Sequence, residues 1–330
     1  MNFRAFQVRQ VEPKVFERSV VTRSVDELPP GDLLVKVHYS SLNYKDALSA
    51  TGNPGVTRNF PHTPGIDAAG EVISSEDGRF QPGDKVIVTS YDLGMGTAGG
   101  FGEMIRVPSA WALPLPEGLS LKESMMLGTA GLTAAMSVQE LVESGVQPEQ
   151  GPILVTGATG GVGSLAVAML AKAGFNVTAA TGKSSETDYL KRLGASDVID
   201  RGAVLEGHER PMMKPVWAGA VDCVGGETLA AAIKATRYGG TVTCCGLVGS
   251  ADLSMNVFPF ILRGVRLIGI DSVEYPMEKR SKVWKKLSND WKPNALEDMV
   301  DEVGLDQLNE KIAGMLKAQL KRRVLINLQR

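Results

Sequence analysis

Residues 153–183 constrain the fold of this chain more tightly than any other stretch. An apolar run suited to a buried strand (Ile153, Leu154, Val155, Thr156) leads into a turn carrying Gly157, Gly160, Gly161 and Gly163. A helical stretch follows, then a second strand ending at Thr181-Gly182-Lys183. Glycine lets the backbone of such a turn approach a pyrophosphate, and Gly163 lets the next helix begin with its N–H groups aimed at that anion. Against the template G-x-G-x-x-G, Gly160 and Gly163 fill the second and third places. Ala158 stands in the first, and Gly157 lies one residue early. Alone, this turn also fits an ordinary strand–turn–helix. The context favours a dinucleotide site: strand-like runs recur at 176–181, 198–200, 220–224, 240–246 and 265–271, with helical patterns between them. That alternation builds a doubly wound parallel sheet, an α/β fold.

The end of the second strand tells which dinucleotide is bound. An NAD site places Asp or Glu about 20 residues past the turn, to hold the ribose 2′-hydroxyl. Here no acid appears before Glu186, and Thr181, Lys183, Ser184 and Ser185 occupy the region. One cation and three hydroxyls suit a 2′-phosphate, so the expected cofactor is NADP(H). Read blandly, Lys183 is an ordinary surface lysine; its place at the strand end favours the phosphate.

Net charge is −2, the sequence pI is near 6.0 and 22% of residues are charged. No basic surplus exists for nucleic acid or an anionic membrane, and no apolar run is long enough to span a bilayer. The first residues, Met1 to Phe6, alternate like a strand and lack a signal-peptide core, so a cytoplasmic location is expected. Cys223, Cys244 and Cys245 lie in strand-like runs and read as small core residues, not as a disulfide framework. His38, His62 and His208 are scattered without metal-ligand spacing, so no metal is expected.

Before the dinucleotide unit the chain is β-rich. Leu33, Val35, Val37 and Tyr39 alternate with polar or outward positions, and shorter strands are expected at 71–73 and 85–89. The five glycines in 94–102 suggest a mobile loop. From Glu123 the pattern turns helical. Later, 278–288 reads as an amphipathic helix with Val283, Trp284 and Leu287 inward, 305–316 as another helix, and 323–328 as a strand. The simplest architecture returns this last segment to the first β domain.

With those residues in view, the chain resembles the medium-chain dehydrogenase/reductase superfamily over essentially its full length. It is most similar to the zinc-independent bacterial NADPH-dependent acrylyl-CoA reductases, a quinone oxidoreductase-like group. The likeness runs through Ser40-Ser41-Leu42-Asn43-Tyr44-Lys45-Asp46-Ala47-Leu48, Pro64-Gly65-Ile66-Asp67-Ala68-Ala69-Gly70 and Gly128-Thr129-Ala130-Gly131-Leu132-Thr133-Ala134. It continues through Val216-Trp217-Ala218-Gly219-Ala220-Val221-Asp222 and through 258–267. Zinc members carry a Cys–His pair near Asn43-Tyr44 and Gly-His-Glu near Gly65-Ile66-Asp67; this chain has neither. The resemblance implies a GroES-like catalytic β domain (1–125), a Rossmann NADP-binding domain (126–272) and a C-terminal segment (273–330) that completes the first domain. It also implies a cleft between the domains that holds the nicotinamide.

Carried over position by position, the likeness assigns Thr159, Gly160, Gly161 and Val162 to the pyrophosphate, and Thr181, Gly182 and Lys183 to the 2′-phosphate. Arg201 falls near the adenine end. Leu247, Ile261 and Ser272 approach the nicotinamide half, with Tyr44 beside the nicotinamide. The implied reaction is reduction of the 2,3 double bond of acrylyl-CoA, a small acyl-CoA thioester, to propanoyl-CoA. Donors aimed at the thioester oxygen supply most of the acceleration in such a reaction; Tyr44, Asn43 and backbone N–H groups are the candidates. Tyr44 reads equally as a packing aromatic. Asp46 and Asp67 read as loop-fixing carboxyls before acids, and Lys45 as a solvated or structural charge. Arg323 reads either as part of a solvated run, Lys321-Arg322-Arg323, or as a group reaching a phosphate of cofactor or CoA. A homodimer is expected, because the strand at 265–270 leaves an apolar sheet edge. Two rivals stand beside this reading: a quinone or 2-alkenal reductase on the same scaffold, and a non-enzymatic NADPH-binding protein.

Overall fold

In the computed structural model, which describes residues 1–330, Met1–Thr129, Val273–Ser288 and Leu296–Arg330 form one unit. Ala130–Ser272 and Asn289–Ala295 form the other. The first unit opens with an antiparallel hairpin, β1 (Asn2–Glu12) and β2 (Val15–Ser24). It continues through β3 (Leu33–Leu42), α1 (Tyr44–Ser49), β4 (Asp67–Ser75), β5 (Lys85–Thr89), β6 (Met104–Val107) and β7 (Ala112–Pro114). In β3 the alternating Leu33, Val35 and Val37 are all buried in a core with Val86, Val88 and Ile105. Each such side chain contributes about 1.5–3 kcal/mol by leaving water. Helix α2 (Leu121–Glu143) then breaks at Gly128, whose φ of 53° and ψ of −156° are open only to glycine.

The second unit runs β8 (Ile153–Val155), α3 (Gly161–Lys172), β9 (Val177–Thr181), α4 (Thr187–Arg192), β10 (Asp197–Asp200), β11 (Trp217–Asp222), α5 (Gly226–Lys234), β12 (Thr236–Cys244), α6 (Phe258–Arg263) and β13 (Arg266–Gly269). Its strands pair in parallel in the order β10-β9-β8-β11-β12-β13, the Rossmann arrangement. A parallel sheet covered on both faces needs strands without alternation, and Ile153, Leu154 and Val155 are all fully buried. Helix α3 is apolar nearly all round, and Gly163 to Leu170 are buried without a break.

The chain then adds α7 (Met277–Leu287), β14 (Val300–Val303), α8 (Leu308–Leu316) and β15 (Arg323–Asn327) to the first unit. Strand β15 enters the sheet between β14 and β3, antiparallel to the latter, with Val324 opposite Leu42 and Ile326 opposite Ser40. Val283, Trp284 and Leu287 of α7 are fully buried. Residues 289–295 depart from the C-terminal segment and join the dinucleotide unit, where Lys172 Nζ donates to Lys292 O at 2.6 Å.

The loop expected to be mobile is pinned instead. Gly94 N–H donates to Thr97 O, Gly99 N–H to Thr63 O and Gly100 N–H to Gly65 O. A Cβ at Gly99 would lie 2.4 Å from Gly65 O, and one at Gly100 would lie 2.0 Å from Asp67 O. These glycines serve close backbone approach, not flexibility.

Candidate active site

Between β8 and β11 the strand order reverses, and ligands of open α/β sheets bind at the carboxyl ends of strands at such a point. Gly157 leaves β8 with φ 58° and packs against the loop after β11: its missing Cβ would sit 3.4 Å from Cys223 Cβ. A Cβ at Gly163 would fall 2.4 Å from Gly157 O, so only glycine lets α3 start this close to the turn. Gly160 is the N-cap of α3, and Gly161 and Val162 open its first turn, their N–H groups at the positive end of the helix dipole. The turn is therefore a cradle that fits a pyrophosphate.

Thr159 and Thr181 meet across β8 and β9, their hydroxyls 3.3 Å apart. Lys183 N–H donates to Thr181 Oγ1 at 3.1 Å, which fixes the backbone leaving β9. Arg201, just past β10, lies over Gly182: a Cβ there would come within 2.9 Å of Arg201 Nε. Arg201 thus stands over the bare backbone at Gly182, next to Lys183 in the chain, where an NAD site presents an acid. Glu186, the first acid after the strand, is buried.

Sequence reasoning passed over the floor of this site. Buried Asp222, at the end of β11, accepts from Thr156 Oγ1 at 2.7 Å, Gly225 N at 2.7 Å and Val224 N at 3.3 Å. Burial outweighs these donors and pushes its carboxyl up from the ordinary value. It ties the ends of β8 and β11 together, and its only signal in sequence was a lone acid closing an apolar strand. Beyond it a cavity of about 470 Å³ opens at the ends of β12 and β13, lined in part by Cys244, Cys245, Gly246, Leu247, Gly269 and Ile270. Leu247 is 65% and Ile261 68% exposed. Ser272 is buried and accepts from Thr133 Oγ1 at 2.9 Å.

In the first unit Tyr44 begins α1, 44% exposed, with a hydroxyl that takes no partner from the chain. The residue before it is fixed from behind. Asn43 Nδ2 donates to Asp67 Oδ2 at 2.8 Å and to Ser41 O at 3.3 Å. Because a carboxylate only accepts, the amide nitrogen must face Asp67. Both N–H groups of Asn43 are consequently spent inward, and Asn43 cannot serve as the substrate donor expected from sequence. Asp67 is fully buried and also accepts from Ser41 Oγ at 2.5 Å and from Thr129 N and Oγ1. Just past the break at Gly128, the Thr129 N–H donates to Asp67, 62 residues away in the chain.

The neighbouring Asp46 accepts from Asn43 N at 2.7 Å and Ile66 N at 2.8 Å, yet burial pushes its carboxyl up to about 7. Ser90 and Tyr91 both have positive φ, 65° and 49°, a strained pair at the end of β5. Ser90 Oγ lies 3.0 Å from Thr129 Oγ1; since Thr129 gives its proton to Asp67, Ser90 is the donor. Tyr91 stacks on Trp111 at 5.7 Å under the guanidinium of buried Arg280, 4.4 Å from the ring. Arg280 Nη1 donates to Thr89 O at 2.7 Å. Arg323 is not part of a solvated run: it is buried, and its Nε donates to Met126 O at 2.8 Å. No group of three or more His, Cys, Asp or Glu side chains is gathered to hold a metal ion.

Two family models match the chain: the alcohol dehydrogenase GroES-like domain over residues 29–117 and the zinc-binding dehydrogenase over 161–289. The putative quinone oxidoreductase YhfP of Bacillus subtilis is 48% identical, over 98% of this chain and 99% of that protein. Acrylyl-CoA reductase AcuI of Ruegeria pomeroyi is 43% identical, over 94% of each. Among solved structures, Bacillus subtilis yhfP with NAD bound superposes with a TM-score of 0.96 at 46% identity, covering 99% of both chains. Escherichia coli K-12 YhdH with bound NADPH does so with a TM-score of 0.95 at 44% identity, covering 98% of this chain and 99% of that one. A Rossmann unit, a GroES-like unit and full-length likeness at these identities make the chain a member of the quinone oxidoreductase-like branch of the medium-chain dehydrogenase/reductase superfamily.

Proposed function

We propose that this chain is an NADPH-dependent reductase acting on the 2,3 double bond of acrylyl-CoA, or a similarly short 2-enoyl-CoA, to give propanoyl-CoA. The observation that supports the cofactor choice is Arg201 lying over Gly182, with Lys183 the next residue and no acid before Glu186. Full-length likeness to an acrylyl-CoA reductase supports the substrate.

When bound, NADPH supplies a hydride. Thr159, Gly160, Gly161 and Val162 hold the pyrophosphate, with the start of α3 offering N–H donors. Thr181, Gly182, Lys183 and Arg201 hold the 2′-phosphate, and Leu247, Ile261 and Ser272 line the nicotinamide half. Tyr44 orders the nicotinamide, and its hydroxyl is the side-chain donor left to the thioester oxygen once Asn43 is committed inward. A fixed donor there stabilises the charge that develops as the β-carbon is reduced. The enzyme works in the cytoplasm as a homodimer, a state supported by β13 standing at the sheet edge.

A second reading, quinone or 2-alkenal reduction with the same cofactor, is favoured by the likeness to the Bacillus protein. Steady-state turnover with NADPH separates the two. Acrylyl-CoA is expected to exceed free acrylate, a short 2-alkenal and a small quinone by orders of magnitude in kcat/KM, because the CoA portion contributes binding energy to the transition state. Equal turnover of the quinone or alkenal would replace the thioester reading with the second one.

A further inference from the structure

Strands β11 and β12 run side by side in register, with Asp222 opposite Cys244, and Cys245 N–H extends the ladder by donating to Asp222 O at 3.0 Å. The next residues, Cys223 and Cys245, therefore face each other just beyond the strand ends, and their sulfurs lie 3.8 Å apart. Adjacent strands are spaced about 4.8 Å, inside the ~4.4–6.8 Å between α-carbons that a disulfide spans. The two thiols differ in access. Cys245 lines the cavity at the ends of β12 and β13. Cys223 packs under the Gly157 turn, and the contact with Cys245 together with burial pushes its thiol well above the ordinary value.

We propose that Cys223 and Cys245 are an oxidative modification site at which a peroxide closes a reversible disulfide that distorts the dinucleotide cradle. The Cys245 sulfur attacks hydrogen peroxide; the O–O bond breaks, the sulfur is oxidised to a sulfenic acid and one water leaves. The Cys223 sulfur then attacks the Cys245 sulfur. An S–S bond forms, the S–O bond breaks, and the departing hydroxide takes the Cys223 proton as a second water. A dithiol reductant reverses the bond.

Closure draws the sulfurs together by roughly 1.7 Å, to the length of an S–S bond. The loops carrying them have no slack. A Cβ at Gly246 would lie 2.0 Å from Cys223 O, and one at Gly157 would already touch Cys223 Cβ at 3.4 Å. Leu247 and the Gly157 turn must move with the sulfurs, and both belong to the surface assigned to the cofactor. This coupling rests on the NADPH reading above; formation of the bond does not.

The test treats the whole protein with hydrogen peroxide and follows intact mass, peptide mapping and NADPH affinity by fluorescence. The expected product has lost two hydrogen atoms and carries a 223–245 cross-linked peptide. Its dissociation constant for NADPH rises by at least about tenfold and returns to the starting value with dithiothreitol. Cys244→Ser keeps the whole response, whereas Cys223→Ser and Cys245→Ser lose the cross-link. A gain of oxygen without cross-linking, or a bond that maps to Cys244, overturns the site. A 223–245 bond that leaves NADPH affinity unchanged overturns the coupling. If the reduced protein does not bind NADPH at all, the cofactor reading fails while the mass result still decides the bond.

Discussion

Asp67 holds Thr129 by two of that residue's groups. The backbone N–H of Thr129 lies 3.0 and 3.1 Å from the two carboxyl oxygens, and its hydroxyl donates to Oδ1 at 2.6 Å. The same carboxyl fixes Ser41 and Asn43, so one buried side chain sets the helix start after Gly128 and the approach to Tyr44. Asp67→Ala strands these donors in a dry interior. It is expected to lower stability by about 3–5 kcal/mol, read from urea unfolding. A loss below about 1 kcal/mol would remove Asp67 from this role.

Cofactor preference tests the ends of β9 and β10. Lys183→Ala should weaken NADPH by about 10- to 150-fold, one charge-assisted contact, while leaving NADH nearly unchanged. Gly182→Ala should act in the same direction, because its Cβ would come within 2.9 Å of Arg201 Nε and displace that side chain. Equilibrium titration with both nucleotides checks each variant; parallel losses for NADPH and NADH would mean that neither residue reads the 2′-phosphate.

Tyr44 presents a hydroxyl with no partner in the chain. Tyr44→Phe keeps the ring and removes only the donor. We expect kcat to fall about 100-fold with NADPH affinity intact. Full activity in the variant would reduce Tyr44 to packing.

Asp46 makes stability depend on pH. Burial raises its carboxyl from 3.8 to about 7, so between those values the folded protein holds a proton that the unfolded chain releases. The contribution is fully present below about pH 4 and is lost as pH rises to about 7, roughly 4 kcal/mol in all. Urea midpoints measured from pH 4 to pH 8 should show this fall, and Asp46→Asn should flatten it. An unchanged slope in the variant would assign the titration elsewhere.

The parallel sheet was legible because its strands are local apolar runs, and the cradle because its glycines sit at fixed spacing. The lack of an acid between Thr181 and Glu186 is likewise a local feature, visible without any partner. What escaped depends on partners far along the chain. The direction of the Asn43 amide is decided by Asp67, and the burial of Arg280 by carbonyls such as Thr89 O. Arg323 looked like part of a charged run, yet it is buried on a strand flanked on both sides. The glycines of 94–102 carry the composition of a mobile loop, and only the backbones of Gly65 and Asp67 lying against them reveal their purpose.

The place of β15 between β14 and β3 has a consequence for biosynthesis. A nascent chain can assemble the sheet of the dinucleotide unit as soon as residue 269 clears the ribosome. The GroES-like sheet must wait with an open seam until residues 323–327 arrive. Translation arrested between those points yields a finished Rossmann sheet tethered to an unfinished neighbour, and quality-control proteases will meet that neighbour first.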